Sequence, residues 1–509
     1  MRILKKSRII GGIILLYKST RGRDENVASS AAIIKGMAKD GGLYVPESIP
    51  KINFDADEDE LVKLNYKSLA YFILSKFFTD FTEEELKKCI DNAYDNKFDS
   101  DEIAPLKKIG GSYFLELYHG LTLAFKDAAL SILPHLMKTA LKKQGINKEV
   151  VILTATSGDT GKAALEGFNN VDSTKIIVLY PADGVSRIQK LQMVTHAGRN
   201  SCVAAVKGNF DDAQKAVKEI FADEDINRRL NSKGYMFSSA NSINIGRLVP
   251  QIVYYFSSYL NLYKTHQIKK GDKVNAAVPT GNFGDILAGY FAKLMGLPIN
   301  KLICASNENK VLYDFLNTGT YDANREFFVT NSPSMDILIS SNLERLLYFI
   351  SGENPETVRK LMADLKSSGK YSITSNMAEK LKDFYAGFAS QEKTINSIKE
   401  IYNLYGEIID THTSVAYSVY KDYKNITGDK TKTIILSTAS PFKFPKAVMS
   451  AIDKKYENVD EFDLIKELSK ITNHIIPKGI KDIDKRPIIH NTVCEKEKIK
   501  DFILEYLGI

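Results

Sequence analysis

From about residue 110 onward, short runs of apolar and β-branched residues alternate with longer stretches of helical periodicity. That alternation restricts the chain to few architectures. Strands are expected over 113–117, 150–154, 175–180, 201–206, 274–278, 301–305 and 433–437. Each is short and nearly continuous in apolar residues, as strands covered on both faces are. Helices fill the gaps, the first over 128–142. The pattern predicts an α/β chain with parallel sheets, whose ligands bind at the loops leaving the carboxyl ends of the strands. Ahead of residue 110 the periodicity is helical, over 28–39, 67–78 and 82–94. Thr82 is the natural N-cap of the last of these, with Glu83, Glu84 and Glu85 favouring the helix dipole. The acidic stretch 55–60 reads as a linker or a helix start. The expected divisions are a mainly helical region (1–105), a small α/β domain (106–245), a large α/β domain (246–450) and a helical tail (451–509).

At 509 residues the chain can bury more than one core, and 44% hydrophobic with 26% charged content is ordinary for a globular protein. The net charge of +7 is spread along the chain, which suits a solvated surface with some attraction for anionic metabolites. No basic-aromatic module for nucleic acid stands out. Cys89, Cys202, Cys304 and Cys494 are scattered without metal spacing, and no HExxH occurs. That usage fits reduced thiols in a cytoplasmic protein with no metal site. Residues 1–17 mimic a signal peptide, basic and then apolar from Ile9 to Tyr17. No small-residue cleavage site follows, and the run is too short to span a membrane. An upstream start or a first strand is the better reading, and no other stretch approaches a membrane-spanning length.

Chemistry concentrates in the loops. Lys126, in His119-Gly120-Leu121-Thr122-Leu123-Ala124-Phe125-Lys126-Asp127, sits between a strand and a helix among apolar neighbours. Such a lysine can be partly desolvated, which lowers its pKa and lets the neutral amine form a Schiff base with a carbonyl; taken alone, a lysine here would read as a solvated helix start, and it is the rest of the chain that argues otherwise. Thr154-Ala155-Thr156-Ser157-Gly158-Asp159-Thr160-Gly161 leads from strand to helix as a small-residue loop. It reads as an anion site or as a plain capped turn, and it is not a Walker A sequence. Pro279-Thr280-Gly281-Asn282-Phe283-Gly284-Asp285 also opens a helix, where backbone N–H groups can cradle a phosphate and Asp285 can cap. Thr438, in Ser437-Thr438-Ala439-Ser440-Pro441-Phe442-Lys443-Phe444, could offer a hydroxyl to a ring nitrogen or be part of a polar turn. Asn241, Ser242, Asn244 and Arg247, in the Asn/Ser-rich run 239–247, can orient a polar substrate or serve as caps and turns.

A Schiff-base lysine, a glycine cradle and a ring-facing hydroxyl are the set that pyridoxal phosphate (PLP) needs. These motifs, with Tyr17-Lys18-Ser19-Thr20-Arg21-Gly22 and Asp40-Gly41-Gly42-Leu43-Tyr44-Val45-Pro46, resemble threonine synthase, and more narrowly its longer bacterial and fungal branch. The likeness runs from about residue 16 to near the C-terminus. It implies a fold-type II PLP enzyme related to the tryptophan synthase β-subunit: two open parallel-sheet α/β domains plus the helical N-terminal region. By the same resemblance Lys126 would carry the cofactor, Gly281, Asn282, Phe283, Gly284 and Asp285 would hold its phosphate, and Thr438 would face the pyridine nitrogen. Asp159 would lie beside the ring. Thr156, Ser157, Gly158 and Thr160 would bind the substrate carboxylate, Asn241, Ser242, Asn244 and Arg247 are looser substrate candidates, and Ser19 and Arg21 are candidates for the substrate phosphate. Leu121 departs from the proline usual in the family, which leaves the turn less stiff.

The reaction implied converts O-phospho-L-homoserine and water to L-threonine and phosphate, with Lys126 moving the protons. A dehydratase would share the lysine and the glycine loop, but the N-terminal signatures oppose it. A phospho-lyase releasing 2-oxobutyrate from the same substrate is the nearer rival. A non-catalytic relative should have lost the lysine or a loop, and neither is lost.

Overall fold

The structure, a computed structural model, describes residues 14–509 apart from 157, 184 and 209. The basic start of the chain and the substrate candidate Ser157 lie outside the described residues. Two sheets organise the rest. The six-stranded sheet runs Phe384–Phe388, Ile299–Ser306, Val274–Pro279, Thr433–Ser437, Ser112–Glu116, Leu106–Ile109. All its pairings are parallel except the final hairpin. The five-stranded sheet runs Thr492–Glu495, Ser201–Lys207, Thr174–Pro181, Glu149–Ala155, Tyr235–Ser238, entirely parallel. Central strands such as Val274–Pro279 and Thr433–Ser437 are buried along their whole length, which is why they read as unbroken apolar runs.

Every strand expected from the sequence forms, with its ends shifted by no more than a few residues. The expected helix over 128–142 is two helices, Lys126–Leu130 and Leu133–Lys143, the second with Pro134 in its first turn. Proline has no N–H to continue the preceding helix but suits a new start. The acidic stretch lies in helix Phe54–Leu61, and Thr82 caps helix Glu83–Ala93 in a full capping box with Glu85.

The division of the chain needs correction. Strands Leu106–Ile109 and Ser112–Glu116, expected in the small domain, belong to the six-stranded sheet, so the lysine turn hangs from that sheet. Periodicity marks a strand but cannot name a partner more than 300 residues away. The tail is not purely helical either. Thr492–Glu495 extends the five-stranded sheet, and helix Ile499–Leu507 buries Ile499, Ile503 and Leu507 in the same apolar cluster as Val151, Leu153 and Ile177. The N-terminal region likewise carries a small antiparallel sheet, with Leu16–Ser19 between Val27–Ala28 and Tyr44–Pro46. Its helix Tyr66–Phe77 packs on helix Ile252–Lys264, and Phe77 stacks at 6.5 Å on Phe291 of helix Gly284–Met295. The N-terminal region thus buttresses the helix that follows the glycine loop. Among the described residues no helix is long and apolar enough to cross a membrane, and the four cysteines are buried and unpaired.

Candidate active site

Strand Ser112–Glu116 lies beside Thr433–Ser437, so the loops leaving their carboxyl ends are neighbours. Backbone bonds join the two loops: Leu117 N–H to Ser437 O (2.9 Å), Phe125 N–H to Thr438 O (2.8 Å) and Ser440 N–H to Leu123 O (3.0 Å). This brings Thr438 to the lysine turn. Within the turn, Leu123 adopts a left-handed φ of 61°, uncommon for a branched side chain. The Thr122 N–H and hydroxyl donate to Asp127 at 2.8 and 2.5 Å. Gly120 must lack a side chain, since a Cβ there would come within 2.3 Å of Asp127 Oδ2. Burial pushes the Asp127 carboxyl up to about 6 against those two hydrogen bonds.

Lys126 opens its helix with the side chain only 13% exposed and Nζ 3.6 Å from Asp159 Oδ2. Burial lowers its pKa, and the nearby Lys443 and Arg247 add to the effect while Asp159 opposes it. Asp159 begins helix Asp159–Gly167 at the end of strand Glu149–Ala155, on the other sheet. Its carboxylate is closely held. Oδ1 takes Gln189 Nε2 at 2.8 Å and Lys443 Nζ at 3.0 Å, and Oδ2 takes the Ser334 hydroxyl at 2.6 Å. Burial would raise its pKa, but Lys443 and Lys126 outweigh that and hold it well below the usual carboxylate range. Behind Ser334, its N–H donates to His412 Nε2 (3.2 Å), whose Nδ1 is 2.7 Å from the fully buried Asp410.

The glycine loop follows strand Val274–Pro279. Phe283 takes φ 60°, and helix Gly284–Met295 begins with no side-chain cap, leaving its first N–H groups for a ligand. A Cβ on Gly281 would meet Ser334 O at 3.0 Å, so the loop lies directly on the segment that touches Asp159. The loop is held from outside by Ser340, whose hydroxyl donates to Gly281 O (2.8 Å), and by Asn342, whose N–H donates to Asn282 O (3.1 Å). Arg247 is 2% exposed; its Nη1 donates to Ala240 O at 2.9 Å and its Nε has no partner among the described residues.

A family model described as "Threonine synthase N terminus" matches residues 16–94, and one described as "Threonine synthase, C-terminal" matches 413–503. The threonine synthase of Pseudomonas aeruginosa is 40% identical over 438 residues, covering 86% of this chain and 90% of its own. The chain belongs to the threonine synthase family. Among solved structures, yeast threonine synthase superposes with a TM-score of 0.87 at 35% identity, covering 97% of this chain and 99% of its own. The threonine synthase of Brucella melitensis, solved with PLP bound, gives 0.85 at 35% identity, covering 97% and 98%. The two parallel sheets are the threonine synthase fold.

Within that fold the residues singled out from sequence divide into groups. Lys126, Asp159, Thr438 and the Gly281–Gly284 loop converge through the contacts above. The other candidates are placed differently. Asp285 does not cap its helix; its carboxylate turns inward to accept from Tyr254 (2.6 Å) and Tyr255 (2.9 Å), and burial raises it to about 6. Asn244 is fully buried and spent on structure, accepting from Gly246 N–H and donating to Ile33 O and Ser239 O, each at 2.9 Å. The Thr156 hydroxyl oxygen holds its own loop, taking Gly158 N–H at 2.9 Å and Gly161 N–H at 3.0 Å. Gly158 and Thr160 flank Asp159, with Gly158 at φ 136°. Ser242 accepts from Asn342 (3.1 Å), and Asn241 is exposed. Ser19 donates to Asp40 (2.7 Å), while Arg21 pairs with Glu344 (2.9 Å). Neither therefore waits as a bare phosphate ligand. Sequence reasoning missed Lys443, Ser334, Gln189 and His412. Only Lys443 carried a signal, lying in the same segment as Thr438.

One member of the lysine motif gives a pH prediction. His119 Nδ1 lies 2.5 Å from Asp99 and Nε2 3.0 Å from Glu116. Burial would lower its pKa, but the two carboxylates outweigh that and lift it to about 9. A raised folded pKa contributes stability that is complete below the unfolded value near 6.5 and is lost as pH rises through about 9. Between pH 6 and pH 9.5 the parent chain should lose about 1–2 kcal/mol more than His119→Gln, a figure discounted because Asp99 is partly exposed. Urea unfolding at the two pH values measures it, and equal losses would refute it.

Proposed function

We propose that this chain is a threonine synthase, converting O-phospho-L-homoserine and water to L-threonine and phosphate with PLP attached at Lys126. The observation that carries this reading is Lys126 itself, largely buried at the strand ends where the two sheets meet and 3.6 Å from an anionic Asp159. The surroundings suit the cofactor: glycines at 281 and 284 present no side chain, the helix behind them has uncapped N–H groups, and the buried Arg247 Nε nearby has no partner among the described residues. The Gly281–Asp285 loop would hold the cofactor phosphate through backbone N–H groups, and the Thr438 hydroxyl would face the ring nitrogen. When bound, PLP supplies the electron sink that lets a proton leave the carbon bearing the substrate amine.

The chain's own residues do the rest. Lys126, once released by the substrate amine, is a positioned base for the Cα and then the Cβ proton, and it returns protons after phosphate leaves and water adds at Cβ. Its lowered pKa favours the neutral form that such a base needs. Asp159 stays an anion throughout and gives the returning lysine cation a counter-charge. Thr156, Gly158 and Thr160, on either side of Asp159, would bind the substrate carboxylate, with Arg247 a further cation for the substrate. The buried, unpaired cysteines suit a reducing compartment, and we place the enzyme in the cytoplasm.

The test is incubation of the purified chain with PLP and O-phospho-L-homoserine, followed by chromatography of the organic product. Threonine with matching phosphate is expected. Phosphate with 2-oxobutyrate would move the protein to the lyases, and no turnover would overturn the substrate assignment.

A further inference from the structure

Two lysines face one carboxylate at the centre of the site, and they are held very differently. Lys443 is wholly buried, and its Nζ is fixed between Thr122 O at 2.7 Å and Asp159 Oδ1 at 3.0 Å. Lys126 Nζ stands 3.6 Å from Oδ2, beyond good hydrogen-bonding distance, and that oxygen is already taken by Ser334 at 2.6 Å. Gln189 fills Oδ1 further. A carboxylate with Lys126 as its only cation would draw that ammonium into a close pair, as buried opposite charges do. Here the close place belongs to Lys443. Lys443 also binds the carbonyl of Thr122, in the same turn as Lys126, so it ties that turn to the helix of the other sheet that carries Asp159.

We propose that Lys443 is a positioning residue: by occupying Asp159 it leaves Lys126 facing a shared, already-bonded anion instead of a partner of its own. Lys126 is thereby free to give up its proton and to change bonding partners. The groups around this cluster are few. Lys126 faces Asp159, Lys443 and Arg247, and Asp159 faces Lys443, Lys126 and His412. Asp127, held by Thr122, faces Lys443 and Glu166. The proposal rests on Lys126 being the reactive amine, but not on which substrate it serves.

The experiment reads that amine directly. Full-length chain freed of PLP is reductively methylated with formaldehyde and a hydride donor across a pH series, and the rate at Lys126 is followed by peptide mass spectrometry. In Lys443→Met, Asp159 has Lys126 as its remaining lysine, so the Lys126 midpoint should rise by about one unit or more. Below the midpoint, that is about a tenfold slower modification at fixed pH. A residue that merely fills space would leave the midpoint where it is, and an unmoved or lowered midpoint overturns the proposal. Stranding Asp159 without Lys443 could prevent folding, so a second comparison removes both charges. The Asp159→Asn/Lys443→Met double variant should titrate Lys126 higher than Asp159→Asn alone, because only the single variant keeps the repelling cation; equal midpoints overturn the proposal. Because no substrate takes part, this result is independent of whether phosphohomoserine is turned over.

Discussion

Lys126→Ala is expected to abolish threonine formation while leaving the fold intact. Loss of a positioned acid-base group alone costs about 10²–10⁴-fold in rate, and here the same residue is also the proposed covalent attachment point. Lys443 cannot stand in for it. That amine is already committed to Thr122 O and Asp159, and it is buried with no exposed surface. The turn itself should survive, since Phe125 N–H to Thr438 O, Ser440 N–H to Leu123 O and the Thr122 bonds to Asp127 do not involve the lysine side chain. Removing a largely buried amine also relieves its desolvation, so stability should change by less than about 1 kcal/mol. The variant should unfold at nearly the parent denaturant midpoint and show no visible absorbance from lysine-bound cofactor. Turnover above about 1% of the parent would remove Lys126 from the mechanism, because it would fall short of even the weakest acid-base contribution.

The parts of the site legible in the sequence are those encoded within one loop. The lysine turn, the Gly281–Asp285 loop and Thr438 each follow a strand that announces itself by an apolar run, and each carries small or polar residues where a ligand needs backbone access. What surrounds them comes from segments with no local signature. Ser334 lies in a single 3-10 turn, Gln189 is the second half of a capping box, and His412 sits in the first turn of a helix. Gln189 reaches Asp159 only when two helices of the five-stranded sheet pack together, and Ser334 and His412 only once the two sheets are brought together. The Asn/Ser-rich run at 239–247 is open to two readings in the sequence. Asn residues serve caps and ligands equally well, and Asn244 proves to be a cap with every side-chain bond spent on its own chain. The misplaced domain boundary has the same origin, since a strand's pattern does not name its neighbour. Edge strands escaped notice because they are short and partly exposed, as Tyr235–Ser238 and Thr492–Glu495 are, or interrupted by glycine, as Phe384–Phe388 is.

Arg345→Met should be the most damaging substitution away from the lysine. Arg345 is completely buried in the first turn of helix Leu343–Ile350. Its Nε donates to Tyr44 O at 3.0 Å, Nη2 to Ile243 O at 2.6 Å, and Nη1 to Asn342 Oδ1. Those acceptors belong to the small N-terminal sheet, the 239–247 run and the segment over the glycine loop. Asn342 in turn donates to Asn282 O and to Ser242, each at 3.1 Å. The preceding residue, Glu344, pairs with Arg21 and accepts the Thr20 hydroxyl at 2.6 Å, fastening the same corner to the N-terminal strand. Burial pulls the Arg345 guanidinium down to about 9, opposed by Glu344, so it remains a cation at neutral pH and its desolvation is a real cost. Methionine removes that cost but leaves buried acceptors without donors, at about 1–3 kcal/mol each. The lost bonds outweigh the relief, and a net loss of about 2–4 kcal/mol is expected. Because Asn342 would lose the contact that orients it, the glycine loop should loosen as well, and PLP titration should show weaker binding even where the chain is folded. A small loss of stability with unchanged PLP affinity would mean that the loop is held from within, by Gly281–Gly284 and the helix behind it, and that the N-terminal region is a passive neighbour of the site.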